Sequence, residues 1–313
     1  MKNPQRKKLI QDSTRELFKL HGFRNLADFL HAYYYLSRID QYVRILLPIL
    51  RGVVKWMPRS KADTFRPLLA YVPDRYHAKV IPLEEARRLV SVNKDVHVPP
   101  ELSKKIIPFE IANQIVIRHP ESIAVIDCAC RRFNRKSCQP ENVCMMIGEP
   151  YASFVMEHAK GLHPRKISQE EAVTMLEDCH KRGWVHNAYF KDVLGSQFYA
   201  ICNCCPCCCG GIEVHKSLKS ILLKESIQEL APSGYLAIVN RKKCTGCGTC
   251  VATCPFAAIS MREEHAVIDP VLCMGCGVCP DSCTEKAIRL QLSARQGIPL
   301  DVHRLVPQKE ARP

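Results

Sequence analysis

Two stretches near the carboxyl end decide the reading of this chain: "CTGCGTCVATC" at residues 244–254 and "CMGCGVCPDSC" at residues 273–283. Each carries cysteines in the order C-x2-C-x2-C-x3-C, and Pro255 follows the first. They superimpose at a constant offset of 29: Cys244 on Cys273, Cys247 on Cys276, Cys250 on Cys279, Cys254 on Cys283, then Ala258 on Ala287 and Ile259 on Ile288. A duplication that repeats both the sulfurs and the apolar residues behind them marks a repeated structural unit. Three thiolates spaced by three on a tight, glycine-assisted loop reach three corners of one Fe4S4 cube. The fourth, on the helix that follows, points away and closes the other cube. C-x2-C pairs also bind zinc, so two zinc sites are the alternative, disfavoured by the interleaved fourth cysteine.

Over residues 235–292 the chain resembles the bacterial two-cluster ferredoxins. The resemblance implies a pseudo-symmetric βαβ-βαβ unit in which Cys244, Cys247, Cys250 and Cys283 hold one [4Fe–4S] cluster. Cys273, Cys276, Cys279 and Cys254 hold the other. Thr284 stands where that pattern has proline, which alters the local backbone and adds an N–H near sulfur without removing a ligand. Each cluster accepts one electron with little change in geometry; its potential is set by charge, N–H···S bonds and exposure.

Eleven of the 19 cysteines remain. "CACRRFNRKSCQPENVC" carries Cys128, Cys130, Cys138 and Cys144, and "ICNCCPCCCGG", residues 201–211, carries six more between 202 and 209. Cys179, alone on a predicted helix, reads as structural. In the crowded stretch Cys202, Cys205 and Cys208 reproduce C-x2-C-x2-C, and Cys204 with Cys207 is a competing C-x2-C selection. Neighbouring side chains diverge along most backbone paths, so the six are not expected to serve one site. The expectation is that the two groups converge on at least one further metal centre, drawn from Cys128, Cys130, Cys138, Cys144, Cys202, Cys204, Cys205, Cys207 and Cys208. A third [4Fe–4S] cluster is the leading reading, structural zinc the second, and free thiols held as a redox reserve the third. Arg131 and Arg132 either offset the charge of a thiolate-ligated cluster or belong to a solvated loop. His158, His163, His180 and His186 are assigned surface or core roles.

Together these outer motifs resemble a second group. C-x-C-R after an apolar strand, "ISQEEAVTMLE", "ICNCCPCCC" and the C-terminal repeat are similar, over residues 80–292, to a group of 4Fe-4S dicluster domain proteins of anaerobic microbes. That group is united by iron–sulfur binding rather than by a substrate, and residues 1–80 lie outside the resemblance.

The chain of 313 residues has an ordinary globular composition, 47% hydrophobic and 24% charged, so a packed core is expected. Its opening, "MKNPQRKKLIQDSTREL", has no apolar leader. Dense cysteine then reads as metal ligation in a reducing, cytoplasmic setting rather than as disulfides. Net charge is +14, of which +10 falls in residues 1–125. The fold class expected is α+β: helical and basic over 1–80, cysteine-rich α+β over 81–234, ferredoxin-like over 235–292, and a tail, 293–313, that is an extended strap or disordered. Ile39, Val43, Leu46, Leu50, Val53 and Met57 recur at helical spacing, with Pro48 predicted to kink or split the helix. The intervening charges rule out a membrane-spanning helix there. Residues 38–57 are read as a face packed on the protein, with peripheral membrane contact as the second reading. "PFEIANQIVIR" is expected to be a helix, "SIAVID", "FYAI" and "YLAIV" strands, and "HKSLKSILLKESIQEL" a helix. Ser168 and Glu171 form a capping box.

Three functions compete. The first is an iron–sulfur electron carrier or oxidoreductase subunit, its basic front docking an acidic redox partner. The second is an iron–sulfur reductase whose catalytic centre is built from the 128–144 and 202–209 cysteines, though the chain has neither G-x-G-x-x-G nor G-x-x-x-x-G-K-[ST]. The third, a nucleic-acid binder, lacks any supporting motif and is set aside.

Overall fold

A computed structural model describes residues 10–56, 75–134, 138–221 and 230–305. Its frame is a seven-stranded sheet made from β1 (Tyr76–Ile81), β4 (Ile123–Asp127), β5 (Asn142–Ile147), β6 (Arg165–Ile167), β7 (Val185–Lys191), β8 (Gln197–Cys204) and β9 (Leu230–Ala231), in the order β6-β4-β5-β8-β7-β1-β9. A small separate ladder pairs β2 (Val96–His97) with β3 (Val116–Ile117). All neighbours in the large sheet run antiparallel except β1 and β9. Both faces are covered, so the central strands are buried along their whole length.

One face carries helices α1 (Asp12–His21), α2 (Leu26–Ser37) and α3 (Ile39–Trp56). Leu17, Ala32, Tyr35, Leu36 and Ile39 from these helices pack with Tyr189, Tyr199, Ala200 and Cys204 from the sheet. The other face holds α4 (Leu83–Val90), α5 (Pro100–Ile106) and α8 (Gln169–Lys181) over Ile81, Val125, Met145, Phe190, Phe198 and Ile201. Between these, α6 (Ala129–Phe133) and α7 (Tyr151–His158) follow β4 and β5, and α9 (Gly210–Ile221) follows the crowded cysteines. The alternation of faces along a strand separates Cys202 and Cys204, which point to the first face, from Ile201, which points to the second.

Residues 235–292 form the C-terminal unit. β10 (Tyr235–Val239) pairs with β13 (Ile288–Leu292) and β11 (Ile259–Arg262) with β12 (His265–Ile268), while α10 (Thr249–Thr253) and α11 (Val278–Ser282) lie between. The 29-residue repeat is visible atom by atom. Ala258 N–H donates to Cys254 Sγ at 3.3 Å and Ala287 N–H to Cys283 Sγ at 3.4 Å, and Thr253 and Ser282 meet hydroxyl to hydroxyl at 3.1 Å on the pseudo-axis. Gly246 (φ +73°) and Gly275 (φ +64°) are matched as well: a Cβ would stand 2.4 Å from the Glu264 carbonyl oxygen at the first and 2.1 Å from that of Tyr235 at the second. Left-handed backbone pressed against a carbonyl leaves no other residue for these two loop positions.

The whole is α+β, with helices at the N-terminal side and a mixed middle. Some local expectations change. Residues 108–118 are not a helix: the helix lies earlier, at α5, Pro108 follows it, and Val116–Ile117 pairs with Val96–His97. Proline removes the N–H that would continue the helix, and the apolar run is used in a ladder instead. The N-terminal helical region ends before Tyr76, where β1 enters the sheet between β7 and β9. α9 begins at Gly210 rather than His215, and residues 222–229 of its expected length lie outside the described residues. Pro48 sits inside α3 without splitting it. Ile39 and Leu47 of α3 are buried while Ile45, Ile49 and Trp56 are exposed; Met57 lies outside the described residues. No helix among the described residues is long and apolar enough to cross a membrane. Up to Leu305 the tail returns as a strap: Leu300 and Val302, at the start of α12 (Val302–Leu305), are buried under α4, and Asp301 accepts from Arg88 at 2.8 Å; residues 306–313 lie outside the described residues.

Candidate metal centres

In the C-terminal unit the thiols fall into two cavities. Cys244, Cys247, Cys250 and Cys283 line one, and Cys254, Cys273, Cys276 and Cys279 line the other. Each draws three thiols from one loop and its fourth from the end of the opposite short helix. The fit to a [4Fe–4S] cluster rests on this chain's own atoms: four convergent thiols, an otherwise apolar lining, and backbone N–H groups aimed at sulfur. The two cavities differ in access. Cys247 is exposed and Cys244 and Cys283 are half-buried, whereas Cys273, Cys276 and Cys279 are all buried. Burial pushes the Cys276 thiol up to about 12, so a proton stays on it unless a metal replaces it.

The cysteines of the middle region also divide, and not as their spacing suggested. Cys144 lies directly across from Cys202 on β5 and β8, and Cys204 follows two residues on along the same face. Cys128 caps the start of α6, Cys130 lies in its first turn, and Cys209 immediately precedes α9. All six thiols line one cavity as a ring, each acting on the ionisation of the next, in the order Cys128, Cys130, Cys209, Cys204, Cys202, Cys144 and back to Cys128. Cys209 had no place in the ligand set expected from sequence. Its signal was the density of the run, whereas its spacing matched neither C-x2-C selection.

The remaining four, Cys138, Cys205, Cys207 and Cys208, meet elsewhere, with every Sγ within 4.8 Å of every other. Cys204 and Cys205 therefore fall in different groups, and the C-x2-C-x2-C set of Cys202, Cys205 and Cys208 is split between them. Cys179 joins neither; it is buried beside Trp184 and Val143.

Arg131 stands between the two groups. It is fully buried, donates to the carbonyls of Pro140 and Asn203, and lies 3.9 Å above the Trp184 ring. No carboxylate partners it among the described residues; its counter-charges are Cys128 and Cys144 of the ring and Cys205 of the tetrad. A buried guanidinium without a carboxylate is costly unless the sulfurs around it are anionic. Cys128 is held well below the ordinary thiol range, first by hydrogen bonds from Cys130 and Cys144, then by the Arg131 backbone N–H and guanidinium. Cys202, accepting from Cys144 and Cys204, is brought down to about 7. Arg132, by contrast, binds Asp127 at 3.2 Å on the surface side.

Beyond the ring the space opens between Tyr35, Tyr76, Tyr189, Tyr199 and Met146. Its volume is about 50 Å³, against about 20 Å³ at each of the two ferredoxin cavities. Tyr35 and Tyr199 hydroxyls meet at 2.5 Å, and burial raises both above the ordinary phenol range. Lys191 lies over the Tyr35, Tyr42 and Tyr76 rings at 5.1–5.5 Å.

The histidines near these groups have structural partners. His163 Nδ1 pairs with Asp127 at 2.7 Å. His158 lies against Thr14 and Tyr33. His180 on α8 contacts Asp281 of the ferredoxin unit at 2.7 Å and stacks on His186, whose Nδ1 meets Asn203 Oδ1 at 2.6 Å. These last two tie the ferredoxin unit to the strand carrying Cys202 and Cys204. The same seam is continuous in the core, where Cys144, Cys204 and Cys209 share one apolar cluster with Phe256, Met274, Cys276 and Val278.

Comparison with known proteins bears on the C-terminal unit. Residues 243–290 match the model of the 4Fe-4S dicluster domain family, and this part of the chain is such a domain. One of the subunits of an ion-translocating oxidoreductase complex from Citrobacter koseri is 31% identical over 110 residues, 33% of this chain and 56% of that protein. The chain thus spans about half the length of the curated relative it matches. Residues 243–290 are accordingly an iron–sulfur domain.

Proposed function

We propose that this protein relays single electrons between a partner oxidoreductase and a third iron–sulfur centre held by the ring of Cys128, Cys130, Cys144, Cys202, Cys204 and Cys209. When bound at their sites, iron–sulfur clusters supply reversible one-electron chemistry. The protein's contribution is the ordering of its thiol sets. The Cys244 set reaches the surface at Cys247, Cys273, Cys276 and Cys279 are buried, and Cys276 shares one apolar cluster with Cys144, Cys204 and Cys209 of the ring. That continuity is the observation that carries the reading. Six convergent thiols around a wider space than either ferredoxin cavity suit a polynuclear centre with more thiolate ligands than a single cube requires. Arg131 offsets the negative charge such a centre would carry. The Citrobacter relative belongs to an oxidoreductase complex, which supports a partner of that kind for this chain. The net positive charge would favour an acidic docking surface on that partner, acting mainly on the encounter rate.

The test is iron and sulfide quantitation, with electron paramagnetic resonance during a redox titration, on anaerobically purified full-length protein. We expect more than the roughly eight irons of a two-cluster domain. A signal should disappear in Cys144→Ser while both ferredoxin signals remain. About eight irons, unchanged by Cys144→Ser, would overturn the third centre.

The tyrosine-lined space favours a second reading, an iron–sulfur reductase with the ring as its catalytic centre. Protonated phenols at Tyr35 and Tyr199 beside a sulfur-ligated centre could donate protons to a small, largely apolar substrate being reduced. Tyr199→Phe would then abolish turnover with the centre's spectrum retained, whereas a relay would be indifferent to it.

A further inference from the structure

The tetrad of Cys138, Cys205, Cys207 and Cys208 differs in kind from every other thiol group in this chain. Three of the separations among its sulfurs are 2.9 Å (Cys138 to Cys207), 3.6 Å (Cys207 to Cys208) and 3.7 Å (Cys208 to Cys138), and all six fall within 4.8 Å. Four thiolates sharing one ion at a Zn–S length of about 2.3 Å stand about 3.8 Å apart. Thiolates on a cube each bind a different iron and point radially outward, which holds them much further from one another. Among the described residues no ferredoxin set draws together as this one does. From Cys138, Cys205, Cys207 and Cys208 we infer a second, separate kind of metal site: one tetrahedral zinc ion in a closed four-thiolate cage.

Donor groups are aimed at two of the four sulfurs. The Cys208 backbone N–H and the Arg131 guanidinium both bond to Cys205 sulfur, and the Cys138 backbone N–H bonds to Cys208 sulfur. Asn134 donates to the Cys208 carbonyl at 3.0 Å and to the Cys130 carbonyl at 3.1 Å, tying the two contributing loops together. The turn over residues 206–208, started by Pro206, reverses the chain so that adjacent Cys207 and Cys208 can face one point. Cys207 is exposed and Cys138 half-buried, so an ion can enter from solvent. For an all-thiolate tetrahedron, zinc outcompetes ferrous iron in intrinsic affinity, and with four protein ligands it keeps no open position. The site's place explains its use. It clamps the turn between Cys204 and Cys209, both members of the six-thiol ring, to Cys138 beyond α6.

The assignment stands apart from the ring's reading, because its metal and its variants are different. The experiment is zinc and iron analysis with zinc-edge X-ray absorption on the full chain, purified without oxygen, chelator or added zinc. We expect about one zinc per chain, surrounded by four sulfurs at about 2.3 Å. Cys207→Ser, at an exposed position, should lower zinc retention under a mild chelator at least tenfold with iron unchanged. Cys179→Ser, a buried thiol outside the cage, should retain zinc as the parent does. Less than about 0.2 zinc per chain, iron lost in place of zinc in Cys207→Ser, a zinc shell containing nitrogen or oxygen, or a Cys138–Cys207 disulfide found by mass spectrometry in the same material would each overturn it.

Discussion

The C-terminal unit and the middle region both gather thiols, yet they do so by opposite means. In the first, every ligand lies within 40 residues of its partners, on two copies of one loop, and glycines let the loops turn tightly. In the second, the ring draws Cys128 from the end of one strand, Cys144 from a second, Cys202 and Cys204 from a third, and Cys130 and Cys209 from two helix starts. A local site can be copied and fused to other chains. A site spread over three strands exists only when the sheet is in register, so a metal bound there would be coupled to folding more tightly.

The largest effects should come from ligands. Cys254→Ala, in the first copy of the repeat, should empty the cavity whose other thiols lie in the second copy. Cys283→Ala should empty the other cavity. Each loss is about four irons. Only Cys254→Ala should also disturb the ring's spectrum, since its cavity shares the apolar seam with Cys204 and Cys209. Equal disturbance by both variants would break the ordering of sites.

Next in size is Arg131→Gln, which leaves the middle thiolates without their buried cation. Reduction adds negative charge, so its loss should move the ring centre's potential to more negative values by on the order of 100 mV, while the ferredoxin potentials hold still. Potentiometric titration of variant and parent checks this. A shift of the ferredoxin signals alone would place the cation's field elsewhere.

Lys79 tests the frame beneath both regions. It is buried on β1, donates to the Pro232 carbonyl at 2.8 Å, and burial pulls its pKa down to about 7. Between about pH 7 and its ordinary 10.5 the unfolded chain keeps a proton that the folded chain has released. Stability therefore rises with pH through that window, by at most about 1.4 kcal/mol per pH unit, and the slope vanishes below it where both states are protonated. Lys79→Met should flatten the rise in denaturant titrations at about pH 7.5 and 9.5.

The smallest effect is expected at Ser168, whose Oγ accepts from the Glu171 N–H at 3.1 Å and caps α8. That helix presents His180 to Asp281 across the seam between the two regions. Ser168→Ala should cost about 1 kcal/mol in stability. Hydrogen exchange should quicken at the first turn of α8 and leave the ferredoxin loops unchanged.

Some of this was legible in residues alone. The 29-residue repeat announces two sulfur-lined cavities, because loop geometry there depends on neighbours in sequence. The N-cap at Ser168 and the strands through Val125 and Ala200 follow from local pattern for the same reason. Residues 108–118 misled because an apolar run beside a proline fits a helix or a ladder equally well, and only the pairing with Val96–His97 decides.

What the sequence by itself determined is the presence of thiolate chemistry, its kind at the carboxyl end, and the α+β frame that carries it. Only the tertiary structure decided which middle cysteines meet. Strand register sets Cys144 opposite Cys202, the pleat turns Cys204 toward them, and the turn that follows swings Cys205 the other way. Adjacent residues are parted and residues some 80 positions apart are joined, as Cys130 and Cys209 are, because the contacts are made through space by the sheet and not along the chain.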